Sequence, residues 1–310
     1  MNSTKHWLAL HRVQGIGIAA LKEIYDSVSS AGLSVSDLFG LTEGEIRHEF
    51  HFSDKIIHAF GEAEKNLSHA EGEYLELMDS EVSVVFFFSP LYPSRLSSRL
   101  GNAAPPLLYC QGNCSLLNMS GAAVLGDSNV SSRGEFISYM AARELVSHDI
   151  AVISGLAMGA DMAAHRAAME AGGSTIAWLP LGIKQFTLPE QLKAVLDPAR
   201  FAAVSHLKPY DHANKFNAFS RNRLVCASSM AVFIVESPDE GGIFEAAKSA
   251  HKLDIPLYTA EYSDYPASAS GNRRIMEEFK AKAIRGKKVD NLTMPNMDRF
   301  IADVKFGQQI

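Results

Sequence analysis

From about residue 121 onward the chain repeats one unit: a short, continuously apolar run, a loop opening on glycine or a polar residue, then an amphipathic stretch. The runs are 121–126, 150–155, 174–179, 201–205, 231–236 and 255–258. Strands that are apolar throughout must be covered on both faces, and strands separated by helices run parallel. Helices are expected over 134–147, with an apolar stripe at Ile137, Met140, Ala141 and Leu145, and over 160–171 and 188–197. The fold class that follows is α/β: an extended Rossmann-like, doubly wound, mostly parallel sheet, whose ligand belongs at the carboxyl ends of the strands. Two further strands are expected at 82–88 and 107–110, in a transition punctuated by Tyr92-Pro93 and Pro105-Pro106.

Residues 1–78 read as helices, with apolar positions at helical spacing through Trp7, Leu8, Leu10 and Val13, then Ala20, Leu21, Ile24 and Tyr25. Gly15 and Gly17 allow a tight turn between the first two helices and expose N–H groups at the start of the second, where a phosphate can be received. This is the pattern of a small all-α helix-hairpin-helix or SAM-like domain that grips nucleic-acid backbone; a plain packing turn explains it equally well. Thr42 is an expected N-cap with Glu45 as its capping-box partner. The domains expected are a helical one over 1–80 and a Rossmann-like one over 81–310.

With 310 residues there is length for two cores. A net charge of −6 argues against a protein that coats duplex DNA by bulk positive charge, though not against a local basic pocket. Cys110, Cys114 and Cys226 are too few for a disulfide framework, and no Cys/His pair completes a metal site with Cys110 and Cys114. No metal or cofactor is expected. The N-terminus shows no signal-peptide pattern and no apolar run approaches the ~20 residues of a membrane span, so a cytoplasmic protein is expected.

The strand ends carry the candidate site. Gly126 closes the first run and is followed by Asp127-Ser128-Asn129. Ser154-Gly155 closes the second and enters a stretch to Asp161 and His165. Glu236 closes the fifth and leads to Gly241-Gly242. Such strand-to-helix junctions offer N–H groups and the positive end of a helix dipole to a phosphate. Ahead of the fifth strand stand Lys215 and Phe219-Ser220-Arg221-Asn222-Arg223. Arginine and lysine suit phosphate oxygens, and phenylalanine suits a base.

The chain resembles the DNA-processing protein A family, also called DprA or Smf. The resemblance rests on Tyr92-Pro93-Ser94-Arg95-Leu96, Pro106-Leu107-Leu108-Tyr109 with Gly112-Asn113, the 154–165 run, Lys215 with 219–223, Ala227-Ser228-Ser229, and Gly271-Asn272. It implies a single-stranded DNA-binding protein that is not an enzyme, usually a dimer, which protects incoming strands and helps load the RecA recombinase during natural transformation. It also implies a strand site made of Gly126 and its loop, Lys215, Phe219, Arg221 and Arg223, to which the strand ends and the 219–223 run add Ser128, Ser154, Gly155, Asn222, Gly241 and Gly242. Gly15 and Gly17 would be a weaker backbone grip.

This chain departs from the family pattern in three places. Gly126-Asp127-Ser128 stands where Gly-Ser-Arg is usual, placing a carboxylate beside an expected phosphate. Gly241-Gly242-Ile243-Phe244-Glu245 replaces a hydroxyl-rich run. The sequence ends at Ile310, so no winged-helix domain like that of some relatives is expected. Two other readings stay open. One is a nucleotide-binding sensor or nucleotide-processing enzyme of the wider superfamily, with Asp127, Glu236 and Glu245, or the Asp161–His165 pair, as acid and base. The other is an interaction module with a vestigial pocket.

Overall fold

The computed structural model describes residues 3–289 and 292–307. They form two compact units. One runs to Phe87 and takes in Leu100–Leu107; the other comprises Phe88–Arg99 and the chain from Leu108 onward.

The first unit holds α1 (Thr4–Arg12), α2 (Ile18–Ser30), α3 (Glu43–Phe50), α4 (Asp54–Lys65), α5 (Leu67–Asp79) and β1 (Val82–Phe86). Trp7, Leu8, Leu10, Leu21, Ile24, Ile57 and Phe60 are buried in its core, the face that the helical spacing marks. Gly15 has φ +84°, the left-handed backbone a glycine permits, and Gly17 is the N-cap of α2. Thr42 and Glu45 make the expected capping box: the Thr42 N–H donates to Glu45 Oε2 at 2.7 Å and the Glu45 N–H to Thr42 Oγ1 at 3.4 Å.

The second unit is the α/β body. Its elements in chain order are α6 (Ser94–Leu100), β2 (Leu107–Gly112), β3 (Gly121–Leu125), α7 (Ser132–Val146), β4 (Ala151–Ser154), α8 (Ala160–Glu170), β5 (Thr175–Trp178), α9 (Glu190–Lys193), β6 (Phe201–Ser205), α10 (Lys215–Ser228), β7 (Val232–Ile234), α11 (Gly242–Lys252), β8 (Leu257–Ala260), α12 (Asn272–Phe279), β9 (Lys282–Ile284), β10 (Gly286–Val289), β11 (Leu292–Pro295) and α13 (Asp298–Phe306). Eight of its strands lie in the order β2-β6-β5-β4-β3-β7-β8-β9. All these pairings are parallel except β2 with β6. Order reverses at β3, which lies between β4 and β7, so the topological switch point is at the carboxyl ends of β3 and β7. The six apolar runs are β3 to β8. Both faces are covered: on one, Ala122, Val124, Val152 and Phe233 join Leu145 and Phe300 in one buried cluster, and on the other Ala123, Leu125, Ile153 and Ile234 are buried as well.

Three expectations change. The helix over 188–197 shrinks to the single turn of α9, between Pro189, its N-cap, and Pro198, because proline restricts the residue before it and cannot donate a helical bond. The strand at 82–88 stops at Phe86. Strands β9 to β11 and helices α6, α12 and α13 carry no signal strong enough to read. Lys282, Arg285, Lys287 and Lys288 hide the apolar alternation of the last strands, which sit at a sheet edge and in a hairpin of their own.

Candidate functional site

Helix α10 starts where Asn214 caps it, the Asn214 side chain accepting the Asn217 N–H at 2.9 Å. At 3.6 residues per turn, Lys215, Phe216, Phe219, Ser220 and Arg223 fall on one arc of the helix, and Arg221, Asn222, Leu224 and Val225 on the other. The structure follows that division. Lys215 and Arg223 are exposed, Phe219 is half-buried and Phe216 is 83 % exposed. The Lys215 Nζ stands 5.7 Å from the centre of the Phe219 ring. Neither Lys215 nor Arg223 has a carboxylate partner among the described residues. The outer face of α10 is therefore a ribbon of two free cations and two aromatic rings. Phe216 was not singled out in the sequence, although its place beside Lys215 on the same helical arc was there to be read.

Arg221 lies inward. Its side chain is 6 % exposed and Nη1 lies 3.5 Å from Asp161 Oδ2, itself 2 % exposed. Gly155 makes this possible, since a Cβ there would lie 0.9 Å from Arg221 Nη1. Burial pushes the Asp161 carboxyl above the usual carboxylate range and the guanidinium below its own, each shift partly offset by the other's charge. Arg221 Nε and Nη1 make no hydrogen bond. Asn222 also faces inward: its Nδ2 donates to the Gly242 carbonyl at 3.0 Å, clasping α10 to α11. A Cβ at Gly242 would sit 3.2 Å from Phe219 Cε1, so this glycine serves the helix–helix approach.

The helix N-termini at the switch point have internal anions. Asp161, in the first turn of α8, accepts the Gly126 N–H on Oδ1 and the Ala157 N–H on Oδ2, both at 3.4 Å. At α7, the fully buried Glu236 accepts the Ser131 N–H on Oε2 at 2.8 Å and the Ser131 hydroxyl on Oε1 at 2.6 Å. Tyr262 and Ser268 donate to the same carboxylate at 2.8 and 2.6 Å. The Asp127 N–H is bonded to the Glu236 carbonyl at 2.9 Å. Carboxylates of the chain thus sit where phosphate was expected. The Gly126 N–H serves Asp161, and the Ser154 hydroxyl donates to the Val124 carbonyl at 2.6 Å. Ser128 is exposed on the β3 loop, and the Asp127 side chain accepts the Asn129 N–H at 2.8 Å, closing a local turn. The start of α11 is open: Gly241 has φ +109° and no atom within 4 Å of a built Cβ. It is flanked by Asp239 and Glu240.

The remaining acid–base candidates are occupied. His165 is fully buried, with Nδ1 2.7 Å from Thr175 Oγ1; Thr175 Oγ1 donates to the Val152 carbonyl, so the imidazole nitrogen is the donor to it. Burial first, and the Arg221 charge second, push this imidazole down to about 3. Glu245 pairs with Lys248 at 3.2 Å. Among the described residues no group of three His, Cys, Asp or Glu could hold a metal ion, and no helix is long and apolar enough to cross a membrane.

Two resemblance motifs act on the scaffold of α10. Arg95 donates through Nε to the Ser228 carbonyl at 2.9 Å and through Nη2 to that of Met119; Arg99 Nη1 reaches the Ala227 carbonyl at 2.9 Å and that of Ser229. These guanidiniums satisfy carbonyls left open at the C-terminus of α10. Asn272 holds the β7 end: its Nδ2 donates to the Val235 and Ala260 carbonyls at 2.9 Å and its Oδ1 accepts the Ser237 N–H at 2.9 Å. Of the residues read as a site, Lys215, Phe219, Arg223 and Gly242 come together around α10 and the start of α11. Ser154, Gly155, Arg221 and Asn222 are inside the body, and Gly15 and Gly17 belong to the first unit.

Residues 83–294 match the family described as DNA recombination-mediator protein A. DNA processing protein DprA of Streptococcus pneumoniae is 28 % identical over 214 residues, covering 66 % of this chain and 74 % of that protein. Protein Smf of Synechocystis is 25 % identical over 277 residues, covering 86 % of this chain and 66 % of the other. The solved structure of S. pneumoniae DprA superposes with a TM-score of 0.71 at 22 % identity, over 92 % of this chain and 95 % of that one. DNA processing protein A from Helicobacter pylori, whose structure concerns its mode of binding single-stranded DNA, superposes with a TM-score of 0.58 at 22 % identity, over 73 % and 96 % of the two chains. Those two likenesses carry the α/β fold, and the match over well over half the sequence carries the kinship: the chain belongs to the DNA recombination-mediator protein A family, whose members are also called DprA and Smf.

Proposed function

We propose that this protein binds single-stranded DNA along the outer face of α10 and serves as an accessory of recombination in DNA uptake or related DNA metabolism. The carrying observation is Phe216, 83 % exposed between cations that have no carboxylate partner among the described residues. An exposed phenylalanine alone means little. Beside Lys215, Phe219 and Arg223 it supplies what an unpaired strand requires: positive charge for phosphates and a ring for a base face that a duplex would hide. Family membership and the single-stranded DNA bound by the H. pylori protein support the reading.

Within this reading the protein is a cytoplasmic homodimer that passes its strand to a RecA-type recombinase during transformation. The helical segment 1–80 is a separate domain whose Gly15–Gly17 turn adds a weak backbone contact. A nucleotide-processing enzyme is disfavoured by the bonding of Asp161, Glu236 and Glu245 within the chain. Filter binding tests the proposal: unpaired oligonucleotide should be retained in clear preference to duplex of the same length, and equal retention would reject it.

A further inference from the structure

At the opposite edge of the sheet, by the amino ends of β3, β7 and β8, lies a cleft of about 1040 Å³ bordered by α6 and the end of α13. Its polar wall is the Arg95–Arg99 pair, spaced i, i+4 on α6. Like charges at that spacing repel. Among the described residues no carboxylate pairs with either guanidinium, and both are held below their ordinary range by burial, Arg99 also by the charge of Arg95. The carbonyls at the end of α10 supply only about half an opposing charge. Three donors, Arg95 Nη1 and Arg99 Nε and Nη2, have no hydrogen-bond partner among the described residues, and none is among the buried unbonded atoms, so each keeps access to solvent on side chains that line the cleft.

The other walls narrow the chemistry. Phe306, 65 % exposed, lines the cleft from α13. Lys282 and Asp303 also line it but are paired with each other at 2.7 Å, and Asp303 further accepts the Tyr258 hydroxyl at 2.6 Å. Asp254 stands exposed at the rim. The balance of these five charged groups is one positive charge, concentrated at the two arginines. The volume is that of a small-molecule site, well beyond what a single inorganic phosphate fills.

We propose that this cleft is a second ligand site, one that takes the phosphate chain of a free nucleotide on Arg95 and Arg99 and sets its base against Phe306. It is independent of the α10 ribbon, which lies at the carboxyl edge of the strands. A bound phosphate chain would neutralise two guanidiniums that have no carboxylate partner among the described residues, meeting the free Nε–Nη2 edge of Arg99 in the bidentate geometry that arginine favours and Arg95 through Nη1.

Calorimetric titration of the full chain with ATP, pyrophosphate and adenosine, without divalent ions, tests this. ATP and pyrophosphate should bind, with adenosine at least tenfold weaker. Arg99→Gln should weaken ATP at least tenfold; because Arg99 also caps α10, Ser98→Glu is the second variant. Ser98 is exposed beside the pair and leaves both caps intact, so its carboxylate should weaken ATP to the same degree while single-stranded DNA binding stays unchanged. No ATP binding at millimolar concentration, or equal ATP affinity in Ser98→Glu and the parent, would overturn the proposal. Stoichiometric displacement of ATP by a single-stranded oligonucleotide would overturn the independence of the two sites.

Discussion

Arg221 and Asp161 face each other across 3.5 Å in the interior, and Gly155 is the residue that makes room for them. The guanidinium most readily assigned to a phosphate therefore has an internal partner. It braces α10 against the start of α8, and the outer face of α10 is left to Lys215, Phe216, Phe219 and Arg223.

Removing either support of this pair should destabilise the fold. Asp161→Asn leaves a buried guanidinium without its counter-charge, at a cost of about 3–5 kcal/mol. Gly155→Ala drives a methyl into the guanidinium, at a cost of about 1–3 kcal/mol or more. Urea unfolding monitored by circular dichroism reads both; a midpoint unchanged in both variants would show that the pair is not a brace.

Glu236→Gln tests the internal anion at α7. The carboxylate accepts from the Ser131 N–H and from the hydroxyls of Ser131, Tyr262 and Ser268. An amide keeps one accepting oxygen and turns the other position into a donor facing donors. A loss of about 1–3 kcal/mol is expected by the same unfolding measurement. Loss of catalytic turnover without loss of stability would instead revive the nucleotide-processing reading.

Stability should fall with acidification through pH 6.5. The His165 imidazole is about 3 in the folded state against 6.5 unfolded, so the unfolded chain takes up the proton first. The stability linked to this depressed group is fully present above 6.5 and is lost progressively down to about 3. Between pH 7 and pH 5 that amounts to about 2 kcal/mol. His206, pushed down to about 4 by burial, adds in the same direction; Asp161, pushed up, opposes it. His165→Asn retains a donor for Thr175 and cannot titrate, so its melting temperature should depend less steeply on pH. An unchanged pH profile would contradict the assignment.

Much of the body was legible because apolar runs and helical stripes are local signals. β3 to β8, α7, α8 and the Thr42–Glu45 cap all follow from neighbouring residues. What escaped is set by distant ones. Arg221 and Arg223 are chemically identical and two positions apart. Helical geometry says that they face different ways, but only Gly155 and Asp161, some sixty residues earlier, decide which one is inside. Glu236 reads as a free acid at a strand end until Ser131, Tyr262 and Ser268 converge on it from separate segments. The charged edge strands were hidden for the opposite reason, since their local composition gives no period to follow, and the helix over 188–197 was read too long because Pro189 and Pro198 confine it to one turn.

The central claim, that the outer face of α10 and not the buried Arg221 meets the phosphates, is tested most directly by the salt dependence of single-stranded DNA affinity. Each lost phosphate contact lowers the slope of log K against log salt by about 0.7. Arg223→Ala and Lys215→Ala should each lower the slope by about that amount, and Phe216→Ala should weaken binding by about 1–3 kcal/mol with the slope unchanged. Arg221→Lys should keep the parental slope even where affinity drops with stability. A slope lowered by Arg221→Lys and left unaltered by Arg223→Ala and Lys215→Ala would contradict it.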